Sequence, residues 1–232
     1  MTGLGPRVIA LIPGYEEGPR IGGVVAAALR HLPVMVVDDG STDDTASQAE
    51  VAGAVVIRQQ PNQGKGAALR MGFRQALDEG WDAVLTLDAD GQHAPDEIPR
   101  FLEAFAATDP AARPELVIGR RDFARMPIVR RLSNTLGTAG FSWAVGRHIP
   151  DNQSGYRLLG RRLMTAMLES REAGFEFEVE MIAVCIARGW PLDWVPISTI
   201  YEGAPSHVRP MAHLRHFVRA TRAARRRVRG HW

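Results

Sequence analysis

The chain has 232 residues, 28 basic and 26 acidic, a formal net charge of +2, and 45% hydrophobic residues. That composition excludes a disordered, low-complexity or collagen-like chain and is ample for a full hydrophobic core. Its single cysteine, Cys185, excludes an intrachain disulfide framework and fits a reducing cytoplasm.

Taken in order, the apolar segments predict alternating strands and helices. Val8 to Ile12 reads as a buried strand, followed by Pro13 and a polar turn; Ile21 to Leu32 reads as a helix. Val34 to Val37 is a second strand that ends at Asp38 and Asp39. Asp43 or Asp44 is placed to cap a helix running to about Val51. A strand from Ala54 to Ile57, a helix from Gly66 to Leu77 and a strand from Ala83 to Leu87 come next. Pro95 opens another helix, and Leu116 to Ile118 is a short strand before Gly119. The second half is more helical, at Ile128 to Val145, Leu163 to Ser170 and Glu178 to Arg188, with one more strand at Leu192 to Val195. Repeated β-α units with short apolar strands predict an α/β fold, a mainly parallel sheet covered on both faces. No repeat or linker divides it, so residues 1–208 read as one domain and 209–232 as a basic C-terminal helix.

Four polar clusters fall at strand ends: Pro13-Gly14-Tyr15-Glu16-Glu17, Asp38-Asp39-Gly40-Ser41-Thr42-Asp43, Asn62-Gln63-Gly64-Lys65-Gly66, and Asp88-Ala89-Asp90-Gly91-Gln92-His93. In a parallel sheet these ends gather along one edge and can line one crevice. Hard oxygen donors such as Asp88 and Asp90, placed there, suit a divalent cation that is also held by substrate phosphates. Each cluster also has a plainer reading. Asp88 and Asp90 could cap a turn before Pro95, and the Asp-Gly-Ser-Thr run could be a capped turn. Lys65, the one lysine among the basic residues, is either a solvated turn residue or a phosphate ligand at a helix N-terminus. His93 either orients Gln92 or packs. Dinucleotide chemistry is disfavoured, because Gly64 and Gly66 are followed by Ala67 and Ala68 rather than a third glycine. No Walker A run occurs, and Asp38 to Asp44 lacks calcium-loop spacing.

In this order the clusters resemble the family 2 glycosyltransferases of GT-A fold, and most of all the polyprenyl-phosphate sugar synthases of the dolichyl-phosphate mannose synthase type. Gly14 and Glu16 stand where that pattern usually has Ala and Asn. Later elements of the pattern match Gly119 and Arg121, then Asp151, Ser154, Gly155, Tyr156 and Arg157. The resemblance covers Val8 to Arg209. It implies a Rossmann-like GT-A sheet and transfer of a hexose, mannose or glucose, from a GDP- or UDP-sugar to a polyprenyl phosphate with inversion. Pro13, Tyr15 and Glu17 would contact the nucleoside and Asp39 would read the base, with Lys65 near the phosphates. Asp88 would approach the ribose or sugar, while Asp90 and Gln92 would hold Mg²⁺ or Mn²⁺. Arg121, one of Arg130 and Arg131 (Arg131 taken), Ser133, Arg157 and His207 would meet acceptor phosphate, although His207 stands where a stronger cation is usual. Asp88, Asp90, Arg121 and Asp151 form the implied catalytic set.

A phosphate acceptor is already largely dianionic at neutral pH and needs no strong base. A hydroxyl acceptor would need one, with Asp151, Glu178 and Glu180 as candidates. Glu178 and Glu180 read equally as helix N-terminal charge.

Arg209 to Trp232 holds eight arginines and no acid, leaving 20 basic against 26 acidic residues elsewhere. Met211, Leu214, Phe217 or Val218, Thr221, Ala224 and Val228 fall along one helical side. A basic amphipathic helix suits an anionic membrane surface, and equally an ordinary terminal helix with its apolar side inward. Met1 to Arg7 lacks a signal pattern, and no apolar stretch reaches the roughly 20 residues that span a bilayer. The expected location is therefore the cytoplasm, peripheral on the membrane face. A non-catalytic nucleotide-sugar-binding module is a rival reading. Nucleic-acid binding ranks last, since the tail lacks interleaved aromatics and the body is acidic.

Overall fold

The computed structural model describes residues 5–106, 112–126, 128–174, 176–198 and 210–230, without the side chains of 125, 129, 130 and 210–217. In chain order the strands are β1 (Val8–Gly14), β2 (Val34–Asp38), β3 (Val55–Arg58), β4 (Ala83–Thr86), β5 (Leu116–Arg121), β6 (Arg157–Gly160) and β7 (Leu192–Ile197). The helices are α1 (Gly18–Ala28), α2 (Thr45–Val51), α3 (Lys65–Asp78), α4 (Ile98–Phe105), α5 (Ile128–Val145), α6 (Arg161–Met167), α7 (Glu176–Ala187) and α8 (Pro210–Val228). They form a mixed α/β fold around one seven-stranded sheet of order β3-β2-β1-β4-β6-β5-β7.

Successive residues of a strand point to opposite faces. On β1, Ile9 and Leu11 therefore join a core with Met35, Val37, Phe73 and Phe177, while Val8, Ala10 and Ile12 join another with Ile21, Val36, Phe101 and Tyr156. Burial on both faces explains why these strands read as unbroken apolar runs. The chain winds from β1 through β2 to β3 on one side, then returns to place β4 on the other side of β1. This reversal is the topological switch point where open α/β sheets form their crevice.

Helix α5 spans the segment that periodicity marks out. The start of α1 differs: it begins at Gly18, because Pro19 suits a first turn and Asp43 accepts from the Gly18 N–H. Asp43 also accepts from the Thr45 N–H, so one carboxylate tends the first turns of α1 and α2. Asp44, at the N-cap of α2, makes no side-chain cap bond. Pro95 opens only a short 3-10 turn, Pro95–Glu97, ahead of α4. Strand β6 has no counterpart among the strands expected from the apolar pattern. It is four residues long and antiparallel to both neighbours, so its register depends on β4 and β5 rather than on its own pattern.

The expectation that α8 offers its apolar side to a membrane is not met in its described half. Ala220 and Ala224 are buried, and α8 packs on α7 and α5. Arg219 pairs with Glu172 at 2.9 Å, and Arg227 with Glu180 at 2.6 Å. In that half, Ala220 and Ala224 turn into the protein's own core. Among the described residues no helix is long and apolar enough to cross a membrane.

Candidate active site

The four clusters do gather at the switch point. Gly14 lies opposite Asp38, and the Leu87 N–H donates to the Leu11 carbonyl, so the chain leaving β4 runs alongside the end of β1. Tyr15, half exposed, follows Pro13 at the rim. Glu17 pairs with Arg20 at 3.0 Å, and its N–H donates to the Thr45 hydroxyl. Glu16 has φ of 55°, in the left-handed region that Asn tolerates better than Glu. The strain, about 1 kcal/mol, is offset because its carboxylate accepts from the Thr42 N–H and hydroxyl.

Asp39 is 3% exposed. Its oxygens accept from the Gln59 side chain at 2.6 Å and from the N–H groups of Gln63 and Gly64 at 2.9 and 2.7 Å. It therefore shapes the turn that launches α3. Gly64, with φ of 92°, permits that turn, and an added Cβ would strike the Ala173 carbonyl at 2.6 Å.

Lys65, the first residue of α3, donates to Asp88 at 2.5 Å and pairs with Glu178 at 2.8 Å. An ammonium at a helix N-terminus opposes the helix dipole, and the two carboxylates outweigh that cost. Burial disfavours the charged lysine, yet Asp88 and Glu178 push its pKa well above the usual range. Burial likewise disfavours the Asp88 carboxylate, but the Lys65 ammonium overrides it and holds the pKa at about 2. His93 accepts the Asp88 N–H at Nδ1, which leaves its proton on Nε2. Its ring stacks on Tyr156, which stacks on Phe101. Burial lowers the His93 pKa, so a neutral ring anchors the Asp88 backbone. The packed role is the observed one, rather than contact with Gln92.

Asp90 and Gln92 are partly exposed, and Asp90 accepts the Gln92 N–H at 2.9 Å. One carboxylate and one amide at the crevice mouth fit Mg²⁺ or Mn²⁺, which draw remaining ligands from water and phosphates. Among the described residues no trio of His, Cys, Asp or Glu forms a protein-only cage. The donor set thus fits an ion shared with a bound diphosphate.

The second half departs further from expectation. Arg157 is fully buried. Its guanidinium donates to the carbonyls of Ser154 at 2.7 Å, Asn152 at 3.1 Å and Glu178. With its donors turned onto main chain inside the core, Arg157 is not an acceptor-phosphate ligand here. Burial lowers its pKa, while Glu178 and Asp151 favour its charge. Arg121 forms a bidentate pair with Asp151, at 2.7 and 2.9 Å. Asp151 is fully buried and also accepts the Gln153 N–H. It orients Arg121 and is not placed as a general base. Glu180 pairs with Arg227 and accepts from the Ser170 hydroxyl. Arg131 and Ser133 are exposed on α5. His207 and the side chain of Arg130 lie outside the described residues.

Sequence reasoning had no view of Gly155 as a close-approach residue. An added Cβ would sit 2.7 Å from an Asp88 oxygen and 3.0 Å from the Lys65 nitrogen. A side chain there would push the Asp88 carboxylate or the Lys65 ammonium aside.

The glycosyl transferase family 2 profile matches residues 9–165. An undecaprenyl-phosphate mannosyltransferase of Micrococcus luteus is 31% identical over 209 residues, 84% of each chain. A UDP-N-acetylglucosamine–dolichyl-phosphate N-acetylglucosaminyltransferase of Methanococcus voltae is 28% identical over 84% of this chain and 86% of its own. Glucosyl-3-phosphoglycerate synthase of Mycobacterium tuberculosis, solved with Mn²⁺, UDP and phosphoglyceric acid, superposes with a TM-score of 0.73. That match has 21% identity and covers 95% of this chain and 79% of that one. The fold is therefore shared with GT-A enzymes, and the profile and sequence matches show that this chain belongs to glycosyl transferase family 2 and is a sugar-transferring enzyme.

Proposed function

We propose that the protein moves a hexose from a nucleotide sugar to a polyprenyl phosphate, with inversion, at the cytoplasmic face of a membrane. The observation that carries this reading is the state of the candidate bases. Asp151 is held by Arg121, Glu178 by Lys65 and Glu180 by Arg227. Each carboxylate is engaged by its cation rather than turned toward an acceptor hydroxyl, which a general base must reach within hydrogen-bond distance. An acceptor that brings its own anionic nucleophile fits this site better than a hydroxyl. The relatives named for undecaprenyl- and dolichyl-phosphate support the same acceptor class, and they differ in the sugar they are named for.

On this reading Pro13, Tyr15 and Glu17 border the nucleoside. Asp39 sets the loop beside the base, and Asp88 faces the ribose or sugar. Asp90 and Gln92 would hold Mg²⁺ or Mn²⁺, which supplies neutralisation of charge on the departing diphosphate. Arg121, aimed by Asp151, and Arg131 with Ser133 on α5 provide donors for the acceptor phosphate. With Nε and Nη2 held on Asp151, Arg121 brings a fixed positive charge to that task.

The test is transfer by purified protein with Mg²⁺ or Mn²⁺, a panel of UDP- and GDP-hexoses, and short-chain polyprenyl phosphate, polyprenol or phosphoglycerate as acceptor. The expected product is sugar-phosphate-polyprenol from one donor, lost in Asp90→Ala. Transfer to polyprenol or phosphoglycerate alone would overturn the acceptor assignment.

A further inference from the structure

We propose that Glu178 is a positioning residue that acts through Lys65 to set the donor-side carboxylate Asp88. This rests on the glycosyltransferase reading above. The Glu178 side chain is 4% exposed, against 28% for Asp88. A carboxylate so deeply buried is strongly unfavourable unless paired, and Lys65 at 2.8 Å is its cation. The same ammonium reaches Asp88 at 2.5 Å, so the three groups form one bridge from the first turn of α7 to the end of β4.

Both ends of the bridge are fixed. The Glu178 carbonyl accepts from Arg157, whose other donors grip the 152–154 loop. The Asp88 N–H is held by His93. Over the middle lies Gly155, where an added Cβ would come within 2.7 Å of an Asp88 oxygen and 3.0 Å of the Lys65 nitrogen. A lysine has a flexible four-carbon stem and sets no direction on its own. Bonded from two sides it becomes a fixed point charge, and the Asp88 carboxylate is oriented against it. Remove the Glu178 charge and Lys65 loses one of the ionic restraints on its position, so that it can shift about Asp88 with the Asp88 carboxylate following. Glu178 therefore governs donor geometry without touching the donor.

Lys65 is the chain's one lysine, which makes the bridge directly observable. Protein grown with lysine labelled at Cε and Nζ gives a single side-chain NMR signal. Glu178→Gln, which keeps shape and removes charge, is expected to move that signal. It should also lower kcat by roughly 10- to 100-fold, as groups that orient a ligating residue commonly do. The acceptor KM should stay unchanged. Added to Lys65→Met, the same substitution should cause little further loss, since both act through one contact. Should Glu178→Gln fail to fold, Glu178→Asp, which withdraws the charge by one methylene, is expected to move the same signal and lower kcat. An unmoved lysine signal, or losses that multiply independently in the double variant, would overturn the positioning role. The signal is read without turnover, so an inactive wild type counts against the transferase reading alone.

Discussion

The two sides of the sheet use charge in opposite ways. Along β1, β2 and β4 the polar residues come directly after strand ends, and Asp90 and Gln92 remain open to solvent at the crevice. Around β5, β6 and α7 the ionic groups turn inward: Arg157 and Asp151 are fully buried and Glu178 nearly so. The first arrangement leaves donors for a ligand. The second spends them on main chain and on one another, which fixes the loop that overlies Asp88. Open and buried polar groups of the motifs should therefore leave different experimental signatures.

The largest expected effect lies on the open side. Asp90→Ala should reduce transfer by about 10³-fold, the scale of losing a charge-stabilising group, while Tm moves by less than about 2 °C. Arg157→Met should do the reverse. It removes the guanidinium donor from three buried carbonyls and a charge from beside Glu178 and Asp151, and should cost about 3 kcal/mol, lowering Tm by roughly 6–12 °C. Thermal unfolding beside steady-state kinetics reads both. An Arg157→Met protein of unchanged Tm but weakened acceptor binding would erase the contrast.

Asp151→Asn sharpens it. Removing the buried charge opposite Arg121 should cost about 2 kcal/mol, visible in urea unfolding, with a moderate rise in acceptor KM as Arg121 loses its aim. Loss of kcat by orders of magnitude at unchanged stability would instead make Asp151 the base of a hydroxyl-acceptor enzyme. The smallest effect belongs to Arg219→Ala. Its pairs with Glu172 and Glu176 are made by a side chain 61% exposed, so solvent screening leaves less than about 1 kcal/mol. A large loss of stability there would show that α8 is held by its ion pairs rather than by Ala220 and Ala224.

Much of this is legible in the sequence because the edge along β1, β2 and β4 is built from local pieces. A buried strand announces itself by an apolar run, and the residues just beyond its end share an edge whatever the rest of the chain does. Asp88, Asp90, Gln92 and Lys65 are readable on that ground, as is the span of α5 from its periodicity. The half of the chain beyond Gly119 depends on partners distant in sequence. Asp151 meets Arg121 across 30 positions, and Lys65 at the start of α3 meets Glu178 in the first turn of α7. No spacing rule reports such pairs. Nor can periodicity decide which way the amphipathic α8 faces, because its apolar side fits a bilayer and the flank of α7 equally well.

The sequence by itself determined the alternation of elements, the gathering of four polar clusters on one edge and the place of Asp88, Asp90 and Gln92 just beyond a buried strand, since each arises from local pattern and strand direction. Only the tertiary structure decided which charges remain available. Burial and long-range pairing set whether a guanidinium or carboxylate faces a ligand or completes the core, and those are properties of the packed chain.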